Sequence, residues 1–516
     1  MSSPVRKTRR TILHSVTSTP LHVAGLSLMA IAASMFFGAV IEWQTTDRDT
    51  AMLVFSGLVV GGTGLAFWLL TTTGRIDARS TFAAVGWTWI ATTLGGAVPY
   101  LLCGAFDVPG IDWSGQIVNS VFESASGFSC TGSTALTDFS VPGQGLMMYR
   151  QMTQWFGGMG VVVLAVAVLP FLGVGGLELI AAEAPGTSGD RLTPRISDTA
   201  KVLWRLYSLL TVGMIIALVI VPGPSLYDAV AHSFSVASTG GFSPYADSIG
   251  YYDSVAVELV LIAGMVIGAT NFAVHWKVLT GTPRNYWRDS EFRTLLSLLG
   301  GCVAIGTVLL WWDSDLSFAS SLRNAAFNIV SLGTSTGYGN AIGPDSPGNF
   351  VTWAPSVQMI LLFWMVVGGS TGSTSGGIKV LRLEVLVKHS VRTVRQAEKP
   401  HSVIPVRLGA NPLSEDIVAR VSSFFLIYLL LVITGVLAVT ALGGGLLETV
   451  GAVVGSLGNM GPGLGNAGPT ANFTEAFSEP ARLVLAGLMV VGRLELFTVL
   501  LMFAASVRSL RQLKKE

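Results

Sequence analysis

Hydrophobic runs long enough to cross a bilayer recur along nearly all of this chain and leave little room for a water-soluble domain. Ten stretches qualify: 21–43, 51–70, 82–106, 147–177, 202–221, 252–279, 295–312, 352–388, 421–442 and 481–507. About 20 apolar residues span the hydrocarbon core as a helix. Only 12% of the 516 residues are charged, roughly half the ~25% of a soluble domain. Lipid is therefore the solvent, and the sequence predicts an all-α polytopic membrane protein. The first stretch follows Arg6, Lys7, Arg9 and Arg10. Its length, and the lack of a small-residue cleavage site, make it a retained anchor rather than a signal peptide. Cys103, Cys130 and Cys302 are odd in number, widely spread and unaccompanied by histidine, which argues against a disulfide framework or a zinc site.

Ten crossings place both termini on one side. Arg75 and Arg79, then Arg191, Arg195 and Lys201, then Arg284, Arg288 and Arg293, and the stretch 388–407 fall on that side too. Cytoplasmic loops carry the excess of Lys and Arg. Both termini are thus expected in the cytoplasm, in a multi-pass protein of the cytoplasmic (inner) membrane. The opposite loops carry Asp107, Asp112, Asp138, Asp247, Asp253, Asp313, Asp315 and Asp345. An acidic outer face would concentrate cations. Aspartate is also common in any solvated loop, and the sequence leaves both explanations open.

Beyond the first two spans one pattern repeats: a long helix, a short half-apolar segment, a glycine turn, a long helix. The short segments read VNSVFESASGFSCTGST (118–134), YDAVAHSFSVASTGGFS (227–243), RNAAFNIVSLGTSTGYG (323–339) and ETVGAVVGSLGNMGPGL (448–464). Internal repeats set architecture. Four such units predict M1–P–M2 repeats in a pseudo-fourfold arrangement around one pore, preceded by two extra N-terminal helices. The expected division is 1–78, then repeats at 79–190, 191–288, 289–405 and 406–516. Non-helical backbone at membrane depth survives only where it is buried in protein or lines a watery path. The glycines taken as equivalent are Gly132, Gly240, Gly337 and Gly461.

The chemistry such turns suit is the stripping of a potassium ion. Rings of backbone carbonyls replace its water shell without a formal charge to trap it, and aiming successive carbonyls inward needs conformations open to glycine. Thr334-Ser335-Thr336-Gly337-Tyr338-Gly339 is nearly the TVGYG filter of potassium channels. The candidate ion-binding residues are Cys130, Thr131 and Gly132; Ser238, Thr239 and Gly240; Ser335, Thr336 and Gly337; Asn459, Met460 and Gly461. None is acidic, which disfavours a filter of carboxylate rings. Each half-helix would point its negative C-terminal end at the ion. Glu123 and His232, within two of the half-helices, either face the pore or, as expected here, brace the turns from behind.

The eighth apolar stretch is broken by Gly368-Gly369-Ser370-Thr371-Gly372-Ser373-Thr374-Ser375-Gly376-Gly377, too poor in helix formers to hold a helix. Beneath a filter, 368–377 with Gly376 and Gly377 would act as a movable plug. Lys379 follows directly, and Arg493 lies inside the last span. Buried charge in a membrane is costly and usually functional, so both are candidate gating residues. Alternatively, Lys379 snorkels to the surface, and Arg493 pairs with nearby Glu495 or with carbonyls.

These motifs resemble the Trk/Ktr/HKT superfamily of cation transporters, the Trk-type membrane subunits in particular. WFGGMGVVVLAVAVLP (155–170), GNMGPGLG (458–465), GGSTGSTSGGIKVLR (368–382) and GRLELFTVLLMF (492–503) carry the likeness further. The resemblance implies one key glycine per repeat, and Gly132 at a position where sodium-favouring members often have serine implies potassium. Cys130 replaces an expected threonine. The resemblance also implies a TrkA-like cytoplasmic nucleotide-binding regulatory subunit and a homodimer. The chain itself has no GxxxxGK[ST] P-loop and no Rossmann fingerprint after a strand. The transported K+ is the only ion expected, with no organic cofactor and no nucleic acid partner. The basic stretch 382–407 suits either the regulatory subunit or anionic membrane lipid.

Rival readings are a sodium/potassium or proton-coupled cation carrier, a carrier of an organic solute, and an intramembrane enzyme. Scattered histidines without an HExxH motif disfavour the enzyme. A proton relay would have to use His232, His275 and Glu123.

Overall fold

The computed structural model describes residues 16–73, 78–172, 196–402, 404–409 and 411–494. The basic N-terminal stretch, the C-terminal tail, Arg75, Arg191, Arg195 and Glu495 lie outside them. Helices dominate. In chain order they are α1 (Thr19–Thr45), α2 (Thr50–Leu70), α3 (Ala78–Leu102), α4 (Trp113–Ser129), α5 (Gln144–Leu172), α6 (Ile196–Ile220), α7 (Leu226–Ala237), α8 (Val255–Gly268), α9 (Phe272–Leu279), α10 (Arg284–Arg288), α11 (Ser290–Asp313), α12 (Phe318–Gly333), α13 (Pro355–Val367), α14 (Val380–Glu398), α15 (Glu415–Ala441), α16 (Leu446–Gly458), α17 (Phe473–Ala476) and α18 (Glu479–Arg493). The strands among the described residues are two-residue pairings, Val16–Thr17 beside Thr71–Thr72 and Arg407–Leu408 beside Asn411–Pro412.

Each of the ten expected spans contains a helix. Among the described residues, five are straight, long and apolar enough to cross a membrane: α1, α2, α6, α11 and α15. Their outward faces expose large apolar side chains such as Trp43, Ile220 and Trp312, as lipid contact requires. The chain is thus a multi-pass membrane protein. The stretch 252–279 is not one continuous helix: α8 and α9 meet at 98°. Asn271 causes the break, because its side chain accepts from the Ala273 N–H at 2.8 Å and starts α9 afresh. The stretch 352–388 is broken too, between α13 and α14, and there the break falls on the expected glycine-rich loop.

The four short segments are α4, α7, α12 and α16, of 17, 12, 16 and 13 residues. Asp112, Ser225 and Ser317 cap the first three by accepting a backbone N–H. Their C-terminal halves are almost entirely buried.

The two N-terminal helices are locked to each other and to α5. A Cβ on Gly25 would sit 2.6 Å from the Gly64 carbonyl oxygen, so α1 and α2 cross with their backbones nearly touching. Gly38 and Gly145 make a similar crossing between α1 and α5. Two buried carboxylates then staple the start of α5: Glu42 accepts from the Gly145 N–H at 2.6 Å and Asp49 from the Gly143 N–H at 3.0 Å. These amides have no helical partner of their own, and the positive end of a helix welcomes negative charge.

Glu42→Ala leaves the Gly145 N–H buried and unpaired, a loss of about 1–3 kcal/mol. Purified protein carrying it should melt several degrees below wild type in a detergent thermal-shift assay, with Glu42→Gln in between. An alanine variant that melts with wild type would contradict the staple.

Candidate functional site

All four short helices end in the same backbone turn. The N–H groups of Cys130, Thr239, Ser335 and Asn459 bond three residues back, to Gly127, Val236, Leu332 and Ser456. The next N–H groups, of Thr131, Gly240, Thr336 and Met460, reach five residues back at 2.9, 2.9, 2.9 and 2.8 Å. The cap residues are left-handed, with φ of 55°, 49°, 56° and 51°. This pattern sets the register between the turns without appeal to sequence similarity.

The register corrects one expectation. Two residues beyond each cap lie Gly132, Gly241, Gly337 and Gly461, so Gly241 rather than Gly240 matches the other three. Gly132, Gly241 and Gly337 have φ of 83°, 80° and 87°; Gly461 differs and leads into Pro462. Gly240 stands level with Thr131, and Ser238 stands one residue before the cap. Two adjacent glycines, either able to adopt a left-handed φ, hid the register in the sequence.

The turns abut in a ring. A Cβ on Gly132 would strike the Gly240 carbonyl oxygen, one on Gly241 that of Thr336, and one on Gly337 that of Gly461. A Cβ on Gly461 would come within 2.5 Å of the Ser133 nitrogen, which returns to the first turn. The Gly461 N–H also donates to the Thr131 carbonyl. Directly beyond the glycines lies one cavity of about 50 Å³, whose lining includes Gly132, Gly241, Gly337 and Pro462.

Seven residues before each cap stand Glu123, His232, Asn328 and Ala452. The first three brace the chain just past their own turns. Glu123 accepts from the Ala135 N–H at 2.8 Å and the Thr134 hydroxyl at 3.0 Å. His232 Nε2 meets Ser243 Oγ at 3.1 Å, and Asn328 donates to Asn340 Oδ1 at 2.8 Å. At the fourth, Ala452 leaves room for Gly463 to pack against it. Gln154, on α5, holds the second turn: its amide donates to the Gly240 carbonyl at 2.6 Å, and its oxygen accepts from Ser235 Oγ and the Phe242 N–H.

On the other side of the turns lies the loop 368–379. The Gly376 N–H donates to Ser335 Oγ at 2.7 Å, Thr239 Oγ1 donates to Thr374 Oγ1 at 3.3 Å, and a Cβ on Gly376 would strike the Gly458 carbonyl. Arg493 completes the contact with the first turn. Its Nη1 donates to the Thr374 carbonyl at 2.8 Å and its Nη2 to Cys130 Sγ at 3.1 Å. Lys379 is buried with φ of 82°, and its ammonium donates to the Ser375 carbonyl. It points back into the loop instead of snorkelling outward. Gly377 packs on Val367 and Gly368. Further anchors are the buried Glu291, which accepts from the Thr371 N–H at 2.6 Å, and the broken end of α8, where the Ala269 carbonyl accepts from the Ser370 N–H at 2.9 Å.

A family model described as "TrkH: Cation transport protein" matches residues 59–512. The chain belongs to the TrkH family. It is 37% identical to the Trk system potassium uptake protein TrkH of Halomonas elongata, over 94% of this chain and 97% of that one. It is also 37% identical to TrkH of Escherichia coli K12, over 93% and 97%. The crystal structure of the potassium transporter TrkH from Vibrio parahaemolyticus superposes with a TM-score of 0.83 at 31% identity, covering 94% of this chain and 98% of that chain. These relatives are transporters, not enzymes.

Sequence reasoning about this TrkH-family chain missed Arg150, Gln154, Asn328 and Glu291. Arg150 carried a signal: an arginine inside an apolar stretch away from the basic side is costly and calls for a purpose. Asn328 lies inside the third short segment, Gln154 directly precedes the stretch 155–170 and Glu291 lies outside every motif, but only the fold shows that their side chains reach the turns and the loop.

The register makes a testable ordering. Gly241→Ala forces a side chain into a left-handed φ, at about 1–2 kcal/mol, and into the Thr336 carbonyl; Gly240→Ala meets only the movable end of Gln154. Alkali-cation flux per membrane-inserted protein should fall further for Gly241→Ala. The opposite order would overturn the register.

Proposed function

We propose that this chain takes up potassium across the cytoplasmic (inner) membrane, through one path lined by main-chain oxygens of four M1–P–M2 turns in pseudo-fourfold array. The observation that carries this is the closed ring of turn-against-turn backbone contacts around Gly132, Gly241, Gly337 and Gly461, with one cavity directly beyond it. A dehydrating K+ needs neutral oxygens held at fixed spacing. The residues proposed to supply them are Cys130, Thr131 and Gly132, Thr239, Gly240 and Gly241, Ser335, Thr336 and Gly337, and Asn459, Met460 and Gly461. No carboxylate belongs to the set, so an ion is bound without being trapped. The C-terminal ends of α4, α7, α12 and α16 add a favourable negative potential.

Conduction is gated by the loop 368–379, in this reading. The packing of Gly376 on Ser335 and Gly458 supports reading this arrangement as the closed one. Lys379 and Arg493 hold the loop by its carbonyls, and their charge raises the barrier to a cation below the turns. Opening is assigned to a TrkA-like nucleotide-binding subunit on the cytoplasmic face, and the proposed active form is a homodimer. A proton-coupled carrier is less well supported. Glu123 is paired with Arg150, and His232 and His275 have both ring nitrogens in hydrogen bonds, His275 with Tyr286 Oη at 2.8 Å and the Ile267 carbonyl at 2.9 Å.

In liposomes holding the purified protein, K+ or Rb+ should flow down its gradient in preference to Na+, and Gly337→Asp should abolish that flow. Transport of an organic solute without Rb+ movement would defeat the reading. Arg493→Gln frees the Thr374 carbonyl and removes a positive charge from the path. Loss of even ~1 kcal/mol of barrier raises basal flux about fivefold, and unchanged flux would count against the gate.

A further inference from the structure

Arg150 is the least expected side chain near the proposed filter. It lies in the lining of the cavity just beyond the glycines, it is 2% exposed, and it carries a positive charge beside a cation path. Its Nε donates to Glu123 at 2.6 Å, and its Nη1 donates to the Ser243 carbonyl at 2.9 Å. The guanidinium stacks over the Phe242 ring at 3.4 Å from its centroid.

The two partners belong to different turns. Glu123 also holds the chain after Gly132, through the Ala135 N–H and the Thr134 hydroxyl. Ser243 stands two residues after Gly241, and its hydroxyl is held by His232. The Tyr338 hydroxyl, next to Gly337, donates to the His232 carbonyl at 3.1 Å. One buried chain of contacts thus runs Glu123, Arg150, Ser243, His232, Tyr338 and joins the segments that leave three of the four glycines. The fourth is joined separately: the Phe473 N–H donates to the Thr134 carbonyl at 2.9 Å and Thr474 Oγ1 to the Ala135 carbonyl at 2.6 Å.

The geometry points to Arg150 as a specificity-determining positioning residue: its guanidinium fixes the spacing between the first and second turns, and with it the preference for potassium over a smaller alkali ion. This rests on the filter reading above. A planar guanidinium donates along two directions at once, and an ammonium does not match that geometry. Glu123 has the complementary task of neutralising a charge that would otherwise repel ions at the mouth.

The test is the ratio of K+ to Na+ permeability in liposomes, a quantity independent of how much protein is folded, together with the K+ concentration giving half-maximal flux. Arg150→Gln and Arg150→Lys should each lower the ratio on the order of tenfold while the protein still conducts. Glu123→Gln keeps one of the two acceptor oxygens that hold Thr134 and Ala135 but leaves Arg150 uncompensated, and it should raise the half-maximal K+ concentration. If Arg150→Gln yields no protein, the lysine variant decides alone. A wild-type ratio in Arg150→Lys would show that charge, not spacing, is the contribution, and would overturn the proposal. Wild-type ratios in both variants would overturn it as well. Gly337→Ser is the control that separates the two readings. If it too leaves the ratio unchanged, the filter itself is wrong; if it lowers the ratio while both Arg150 variants do not, only the role of Arg150 falls.

Discussion

The contact on which everything else depends is backbone against backbone. Gly132, Gly241, Gly337 and Gly461 each press on the main chain of the next turn so closely that no β-carbon fits between. Side chains cannot make such a junction, because even a β-carbon there would collide with main-chain atoms of the next turn and force the turns apart. The left-handed caps at Cys130, Thr239, Ser335 and Asn459 swing the chain off each short helix and into that ring. Once the turns meet in this way their carbonyls have few places left to point.

Such a ring has little intrinsic strength, since four irregular turns share few hydrogen bonds with one another. The remainder of the chain holds it. Glu123, His232 and Asn328 brace three turns from their own half-helices, and Gln154 on α5 holds the second as well. α1 and α2 grip the start of α5 through Glu42 and Asp49, fixing the helix that carries Arg150 and Gln154. The loop 368–379 is anchored to Ser335, Arg493, Glu291 and, by several hydrogen bonds, to the broken end of α8.

Spans such as α1, α2, α6, α11 and α15 were legible because burial in lipid demands a hydropathy signal, and the four short helices because one pattern recurs before each glycine turn. The break at 368–377 was legible for the complementary reason, since ten residues of glycine, serine and threonine hold no helix. The bend between α8 and α9 was not. Its sequence is apolar enough to read as one span, and one asparagine, Asn271, redirects the chain only because the loop 370–374 takes up the carbonyls it frees. The second turn was misregistered by one residue, because Gly240 and Gly241 are equivalent as letters and differ only in which one follows the cap by two. Arg150, Asn328 and Glu291 act across distances along the chain of 27, 12 and 80 residues, and no local pattern links such partners.

The most direct test is anomalous scattering from Rb+ or Tl+ in crystals of the purified protein. The account predicts ion density on a single axis inside the ring of Gly132, Gly241, Gly337 and Gly461, coordinated by main-chain carbonyls of all four turns. Ions bound elsewhere, held by side-chain carboxylates, or touching only one or two of the turns would contradict it.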